Sequence, residues 1–276
     1  MGSERKKAKL EVLCATMHQR DFGKIREMNL QSDVVFANQS DETGYREVSF
    51  GENTARMIST ATRGVGVNRN LALLYATGEY LLFSDDDLRY VDGYRDTVER
   101  AFSELPRADC IIFNIETVGS DIGRRQNGKA RRVRWYNALN YGAVRLAVRR
   151  SSVSREGIFF NCNFGGGTPF SCGEDTLYII SMLKKGLKLY AYPALIATVD
   201  QTESTWFRGY TEKYYFDKGV LYASISRPFG RLLCLQDLIR HPNYKKNGLS
   251  FSRAYAWMKR GLKSQKRLTP FSEAEK

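Results

Sequence analysis

The sequence has few of the residues that build disulfide frameworks or metal clusters. It contains five cysteines in 276 residues, an odd number, widely spaced and without a Cys-x-x-Cys pair. Zinc sites and redox motifs usually bring two cysteines that close together in the chain. We therefore expect reduced thiols, most of them in the core, and see no sign of zinc or redox chemistry.

Long apolar runs are also missing. The first residues, MGSERKKAKLEVL, are charged and lack the apolar core of a signal peptide. No stretch approaches the roughly 18 apolar residues that predict a membrane span. We therefore expect a cytoplasmic protein.

The charge is large but unevenly distributed. The net charge is +13, and residues 124–155 contribute ten Lys/Arg with no Asp/Glu. Residues 227–276 add twelve Lys/Arg against three acids. Subtracting these contributions of +10 and +9 from +13 leaves −6 for the rest of the chain. Each basic segment therefore needs its own explanation.

Apolar runs alternate with stretches of helical pattern. Strands are predicted at 10–16, 33–38, 80–84, 109–117 and 143–150, with a further strand ending at Pro193. Helices are predicted at 21–31, at 66–79 with Gly78 as C-terminal cap, at 93–105, and before Gly186. Such alternation predicts an α/β fold with a mostly parallel sheet.

Three consecutive carboxylates, Asp85, Asp86 and Asp87, follow the apolar run YLLFS. In open α/β sheets, ligands bind beyond the carboxyl ends of the strands. Carboxylates at that edge can hold Mg²⁺ or Mn²⁺, which complete their coordination with water and substrate phosphates. A nucleoside diphosphate is thus a natural ligand, and a solvated acidic helix cap is the alternative.

A second acidic pair follows a glycine-rich stretch. In NFGGGTPFSCGEDTLYII, Glu174 and Asp175 come directly after Gly173 and open a predicted helix. Glycines let a backbone approach a bulky ligand or move as a loop. The acids either cap the helix or provide a general base for a hydroxyl nucleophile.

Four stretches, taken together and in order, resemble the family-2 glycosyltransferases of the GT-A fold. They are LCATMHQRDF, VVFANQSDE, GVGVNRNLALLYATGEYLLFSDDD and GEDTLYIISMLKKGLKLYAYP, and they cover roughly residues 10–195. The resemblance implies a Rossmann-like domain with a mostly parallel central sheet flanked by helices. It also implies inverting transfer from a nucleotide-diphosphate sugar.

The resemblance assigns roles to residues of both acidic clusters. Asp85 and Asp87 match the Asp-x-Asp pair that meets ribose, a divalent metal (Mn²⁺ or Mg²⁺) and diphosphate, and Asp86 lies between them. Asp175 matches the acid that deprotonates the acceptor hydroxyl. The resemblance also implies Thr16 and Arg69 as positions that line the nucleotide pocket. Apart from the resemblance, we assign Glu174, Gly166 and Gly167 to the acceptor side. Trp206 either stacks on a sugar ring there or packs the tail onto the core.

This chain departs from the family pattern at the end of the second strand. The family commonly has a pair of aspartates there, one of which reads the base, whereas this chain has Ala37, Asn38 and Gln39. Base recognition is therefore assigned to Asn38 as a hypothesis, and the nucleotide stays open, with UDP first.

The basic segments suggest contacts with charged partners. The run RRQNGKARRVRW (124–135) is expected to be a loop near the acceptor side, either binding a pyrophosphate-bearing acceptor or simply solvated. The tail combines RLLCLQDLI with FSRAYAWMKRGLKSQKR, whose basic amphipathic pattern is typical of helices on anionic membranes. A helix packed on the domain with its polar side in water is the alternative.

These observations predict a glycosyltransferase domain at 1–225 and a basic helical C-terminal extension at 226–276. The expected acceptor is a glycan or lipid-linked oligosaccharide of surface polysaccharide synthesis, at the inner face of the cell membrane. We expect no nucleic-acid partner, because the predicted site is acidic. The alternatives are a non-catalytic or nucleic-acid-binding α/β protein and a sugar nucleotidyltransferase.

Overall fold

The computed structural model describes residues 9–118, 126–200 and 209–265, and these form an α/β fold. The strands are β1 (Leu10–Met17), β2 (Asp33–Gln39), β3 (Gly44–Phe50), β4 (Asn53–Thr60), β5 (Tyr80–Asp85), β6 (Leu88–Tyr90), β7 (Cys110–Val118), β8 (Arg131–Arg132), β9 (Leu146–Arg149) and β10 (Leu189–Asp200). The helices are α1 (Lys24–Glu27), α2 (Val65–Tyr75), α3 (Tyr94–Glu104), α4 (Arg150–Arg155), α5 (Glu174–Lys184), α6 (Glu212–Ile225), α7 (Gly230–Arg240) and α8 (Phe251–Ser264).

The strands form one sheet in the order β3-β4-β2-β1-β5-β9-β7-β10-β6, with β8 paired to β10. The strands β4, β2, β1, β5, β7 and β10 run in one direction, while β3, β6, β8 and β9 run against them. The core strands β1, β2 and β5 are buried along nearly their whole length. The predicted α/β fold with a mostly parallel sheet is therefore confirmed.

Two elements of the sheet differ from the sequence prediction. The hairpin β3–β4 was not predicted, because nearly all of GYREVSF is exposed and carries no apolar alternation. The final strand does not end at Pro193 but continues to Asp200, with register shifts between Ala191 and Leu195. Proline has no N–H to donate to a neighbouring strand, and Pro193 lies where the register shifts.

Other boundaries also shift. The 21–31 stretch forms only the four-residue helix α1, and the 143–150 strand is shortened to β9 by a 3₁₀ turn at Ala143–Arg145. Helix α2 ends at Tyr75, before Gly78. It buries the charged Arg69 and exposes the apolar Leu74, whereas an amphipathic helix usually buries its apolar residues and exposes its charged ones.

The basic run at 124–135 is not simply a loop. Of its described part, Arg131–Arg132 form β8 against Tyr190–Ala191, near the amino end of β10. The acidic turn lies instead beyond the carboxyl end of its strand. Both arginines of β8 are half-buried, whereas residues 126–130 and 133–135 lie outside helices and strands, as expected for a loop.

The chain divides into two units. One contains the sheet and comprises residues up to 63, 67–160 and 178–203, and the other comprises 64–66, 161–177 and 204–276. Within the second unit, α8 packs tightly on α6, since a Cβ on Gly261 would lie 2.1 Å from the Phe216 carbonyl oxygen. The domain boundary at 225/226 stays a prediction. Among the described residues, no helix is long and apolar enough to cross a membrane.

Candidate active site

The acidic triplet closes the turn between β5 and β6. Asp85 is the last residue of β5, and Asp86 and Asp87 form the turn itself. Neighbouring β1 runs parallel to β5, with Ala15 opposite Asp85. The carboxylates thus lie at the carboxyl edge of the central parallel strands, where α/β folds bind ligands.

Asp85 and Asp86 contact side chains of other elements. Arg69 of α2 donates from Nη2 to both oxygens of Asp85, at 3.0 and 3.3 Å. Thr16 at the end of β1 donates its hydroxyl to Asp86 Oδ2, and Gln19 Nε2 approaches the same oxygen at 3.4 Å. Asp87 is exposed. The predicted donor-site residues Thr16, Arg69, Asp85 and Asp86 are therefore brought together.

Helix α2 is oriented by polar contacts with this edge. Beside Arg69, Asn68 donates from Nδ2 to the Thr16 carbonyl oxygen at 3.1 Å, and both side chains are buried. The Arg69 guanidinium also stacks 5.4 Å from the Phe160 ring centroid. These contacts explain why α2 turns polar residues inward.

Asn38 is fully buried, and its amide is engaged within the protein. Its Oδ1 accepts from the Gln19 backbone at 3.0 Å, and its Nδ2 donates to the Gln19 carbonyl at 2.9 Å and to Ser59 Oγ at 3.0 Å. Asn38 thereby holds the loop after β1, which contains His18 at a φ of +55°. Sequence reasoning missed Gln19, which no motif marks, although it lies within reach of Asp86.

The negative charge of the turn also affects Cys14 on the neighbouring strand β1. Burial raises the pKa of the Cys14 thiol well above its usual value, and the nearby charges of Asp86 and Asp85 raise that pKa further. Cys14 is therefore a protonated core thiol. Arg69 and, more remotely, Lys24 offset part of this charge.

The glycine-rich stretch of the second unit is built around Glu174. Gly165 and Gly167 have φ values of +101° and +77°, which side-chain-bearing residues rarely adopt. A Cβ on Gly165 would lie 2.7 Å from the Glu174 carboxyl group. The Gly166 carbonyl accepts from Val65 N at 3.1 Å. The loop is therefore a close-packed turn.

Glu174 and Asp175 open α5 but differ in exposure. Glu174 is buried, whereas Asp175 is half-buried. Gly173 precedes them at a φ of +120° and lies against Leu221, to which a Cβ would come within 2.7 Å. Of the two acids, Asp175 is the more accessible.

A buried carboxylate that sequence reasoning missed anchors this loop. Asp217 of α6 has no solvent exposure, and its Oδ2 accepts from Ser171 N at 3.0 Å and Ser171 Oγ at 2.7 Å. Lys213, one turn earlier, donates to the same Oδ2 at 2.5 Å and to the Pro169 carbonyl at 3.0 Å. The Lys-x-x-x-Asp spacing was the only signal, and it is common on helix surfaces.

The thiol between Ser171 and the acidic pair is also enclosed. Burial raises the pKa of Cys172 to about 11, opposed in part by the nearby Lys218 ammonium group. It stays protonated at neutral pH and is not a nucleophile there. Trp206, the remaining predicted acceptor residue, lies outside the described residues.

The acidic turn suits a divalent metal whose coordination is completed by substrate phosphates and water. The described part of the chain has no cluster of three or more His, Cys, Asp or Glu able to cage a metal. Asp85 already pairs with Arg69, while Asp87 is exposed at the turn. One or two carboxylates completed by phosphate and water are the usual protein contribution to a Mg²⁺ site.

The fold is of the GT-A type, with an acidic turn at the carboxyl edge of its parallel strands. Residues 39–170, just under half of the chain, match the family model described as glycosyl transferase family 2. This match agrees with the resemblance carried by the sequence motifs. A comparison with curated proteins finds no match.

Solved structures support the same fold. The chain is similar to the crystal structure of S. aureus TarS 1-349 in complex with UDP-GlcNAc, with a TM-score of 0.65 and 15% identity over 93% of this chain and 81% of that one. The crystal structure of TarS 1-349 in complex with UDP matches with a TM-score of 0.60 and 13% identity, over 95% and 93%. These structures show the fold alone, and the family match over residues 39–170 is the finding that supports a glycosyltransferase.

Proposed function

We propose that this glycosyltransferase transfers a sugar, with inversion, from a UDP-sugar to a hydroxyl of a glycan or lipid-linked acceptor in surface polysaccharide synthesis, such as capsule, exopolysaccharide or lipopolysaccharide. The observation that carries the proposal is the acidic turn, in which Arg69 and Thr16 fix two carboxylates at the carboxyl edge of the sheet. The TarS structures bound to UDP and UDP-GlcNAc favour UDP as the nucleotide.

In the proposed donor site, each residue has a distinct task. Arg69 fixes the orientation of Asp85 toward the ribose and diphosphate, and Thr16 does the same for Asp86. Asn38 acts through the loop it holds, because its amide groups are engaged by Gln19 and Ser59. Direct base recognition by Asn38 stays a hypothesis beside this positioning role.

Asp87, with Asp85, is the proposed metal contact. A bound Mn²⁺ or Mg²⁺ would neutralise the diphosphate leaving group. The protein supplies an exposed carboxylate for this purpose, while Arg69 limits the repulsion within the triplet.

Asp175 is the proposed general base. It takes the proton of the acceptor hydroxyl as that oxygen attacks the anomeric carbon from the face opposite the diphosphate. The bond from the anomeric carbon to the diphosphate oxygen breaks with its electron pair, so the configuration inverts. Glu174, Gly166 and Gly167 are proposed to shape the acceptor side of the loop, together with Trp206.

Peripheral contact with an anionic membrane is proposed for the C-terminal extension. Its described residues, 226–265, hold nine Lys/Arg and one acid. Each basic residue near an anionic surface contributes about 1 kcal/mol to binding. A lipid-linked acceptor would be reached at that surface.

A transfer assay tests the enzymatic proposal. Purified protein with Mn²⁺, a panel of UDP-sugars and a glycan acceptor should release UDP with one sugar in particular, and proton NMR should show the inverted anomer. Asp96→Asn, which alters an exposed acid of α3, is the matched control and should behave like the wild type. A product that retains the donor configuration would contradict the mechanism.

A further inference from the structure

The two helices of the C-terminal extension differ in where their apolar side chains lie. On α8 the inward positions Ala254, Met258 and Gly261 are buried. A Cβ on Gly219 of α6 would lie 2.1 Å from the Met258 carbonyl oxygen, so the two backbones are almost in contact. The apolar face of α8 is thus buried against α6.

Helix α7 instead keeps large apolar side chains exposed. Phe229, Leu232 and Ile239 are 61%, 61% and 71% exposed. Leu232 and Ile239 lie seven residues apart, so they share one face across two helical turns, and Phe229 precedes Leu232 by three residues. We name the three residues the α7 ridge.

The opposite face of α7 is firmly packed. Gly230, Cys234 and Leu238 recur every fourth residue and are buried. A Cβ on Gly230 would lie 2.7 Å from Leu262 of α8. The ridge therefore projects from a fixed helix.

The exposed charged residues of 226–240 are all basic. They are Arg227, Arg231 and Arg240. The single acid of α7, Asp237, is largely buried and pairs with Lys218 at 3.5 Å. An exposed apolar line with flanking arginines complements a surface with anionic headgroups above an apolar layer.

We propose that the α7 ridge inserts into the interface of an anionic lipid membrane and that α8 does not. This inference rests on the membrane contact proposed above and assigns it to a surface. A ridge of three side chains is also small against the roughly 800 Å² per partner of a stable protein interface. The arginines supply attraction, and Phe229, Leu232 and Ile239 supply the inserted apolar groups.

Vesicle co-sedimentation of the full chain tests this assignment, with phosphatidylcholine vesicles compared with vesicles containing phosphatidylglycerol. Wild type should bind the anionic vesicles, and less tightly at high salt. The double change Leu232→Ser and Ile239→Ser should weaken that binding at least tenfold. Leu74→Ser removes an equally exposed leucine of α2, at 69% exposure, and should bind like the wild type.

The contrary outcomes separate the two levels of the proposal. Unchanged binding by the double variant would overturn the ridge assignment. If the wild type binds no vesicle, both the ridge assignment and the proposed membrane contact are wrong. The proposed UDP binding and sugar transfer do not depend on that result. If the double variant instead turns a dimer into a monomer by light scattering, with vesicle binding intact, the ridge is a protein interface. Circular dichroism and UDP binding establish that the variants fold.

Discussion

The two acidic clusters are held in place by different means. In the turn after β5, strand ends and α2 supply Thr16 and Arg69 directly to the carboxylates. The loop before α5 has glycines at positive φ, and its Ser171 is anchored by the buried Asp217. The first cluster therefore shows how carboxylates are held by neighbouring side chains, and the second shows how the loop in front of two carboxylates is held.

The largest expected effect separates the clusters by function. Asp175→Asn should lower turnover by roughly 10²- to 10⁴-fold, the usual contribution of a general base. UDP affinity should stay within about twofold, because the donor contacts are assigned to the acidic turn. Rate measurements at saturating donor, paired with calorimetry, check both values. Turnover equal to wild type would remove Asp175 as the base.

The backbone anchor should matter next most. Asp217→Ala removes the acceptor of two hydrogen bonds from Ser171, each of which contributes about 1 kcal/mol. We expect a lower melting temperature and a reduced kcat with little change in donor KM.

The control for Asp217→Ala removes only one of the two hydrogen bonds between Asp217 and Ser171. Ser171→Ala removes the hydroxyl bond but keeps the amide bond, and it should have a smaller effect on both readouts. If Asp217→Ala lowers the melting temperature yet leaves kcat at the wild-type value below the transition, Asp217 supports the fold and does not position the loop.

Glycine at position 165 should be required for both conformation and space. Gly165→Ala places a methyl group 2.7 Å from the Glu174 carboxyl group at a φ of +101°. Strained backbone of this kind costs about 1–3 kcal/mol. Transfer should fall several-fold while UDP binding persists. Gly128→Ala, where a Cβ meets nothing within 4 Å, is the control.

The smallest effect is expected at the strand edge. Thr16→Val keeps the shape of the side chain but removes the hydrogen bond to Asp86. Such a bond contributes about 1 kcal/mol, so UDP affinity should fall about fivefold. Unaltered affinity would show that the Asp86 orientation is set by other contacts.

The sequence predicted those parts of the fold that follow from burial. The continuous apolar runs of β1, β2 and β5 identify buried parallel strands, and the acidic turn follows from its place after one of them. The exposed hairpin β3–β4 gave no such signal. Its own pairing is local, and β4 joins it to the sheet by pairing with β2.

Helix α2 forms as predicted, but the burial of its residues does not follow hydrophobicity alone. Leu74 is exposed and Arg69 is buried against Asp85. The site needs a cation beside three carboxylates, and this requirement outweighs the burial of one leucine. Asp217 could not be found from sequence, because its partner Ser171 lies 46 residues away.

The central claim is that the acidic turn binds a metal–nucleotide complex, and calorimetric titration tests it most directly. Wild-type protein and Asp87→Ala would be titrated with UDP, with and without Mn²⁺, beside Asp96→Asn as control. The account predicts Mn²⁺-dependent UDP binding in the wild type and the control that is lost in Asp87→Ala. Equal UDP binding by Asp87→Ala in the presence of Mn²⁺ would contradict it.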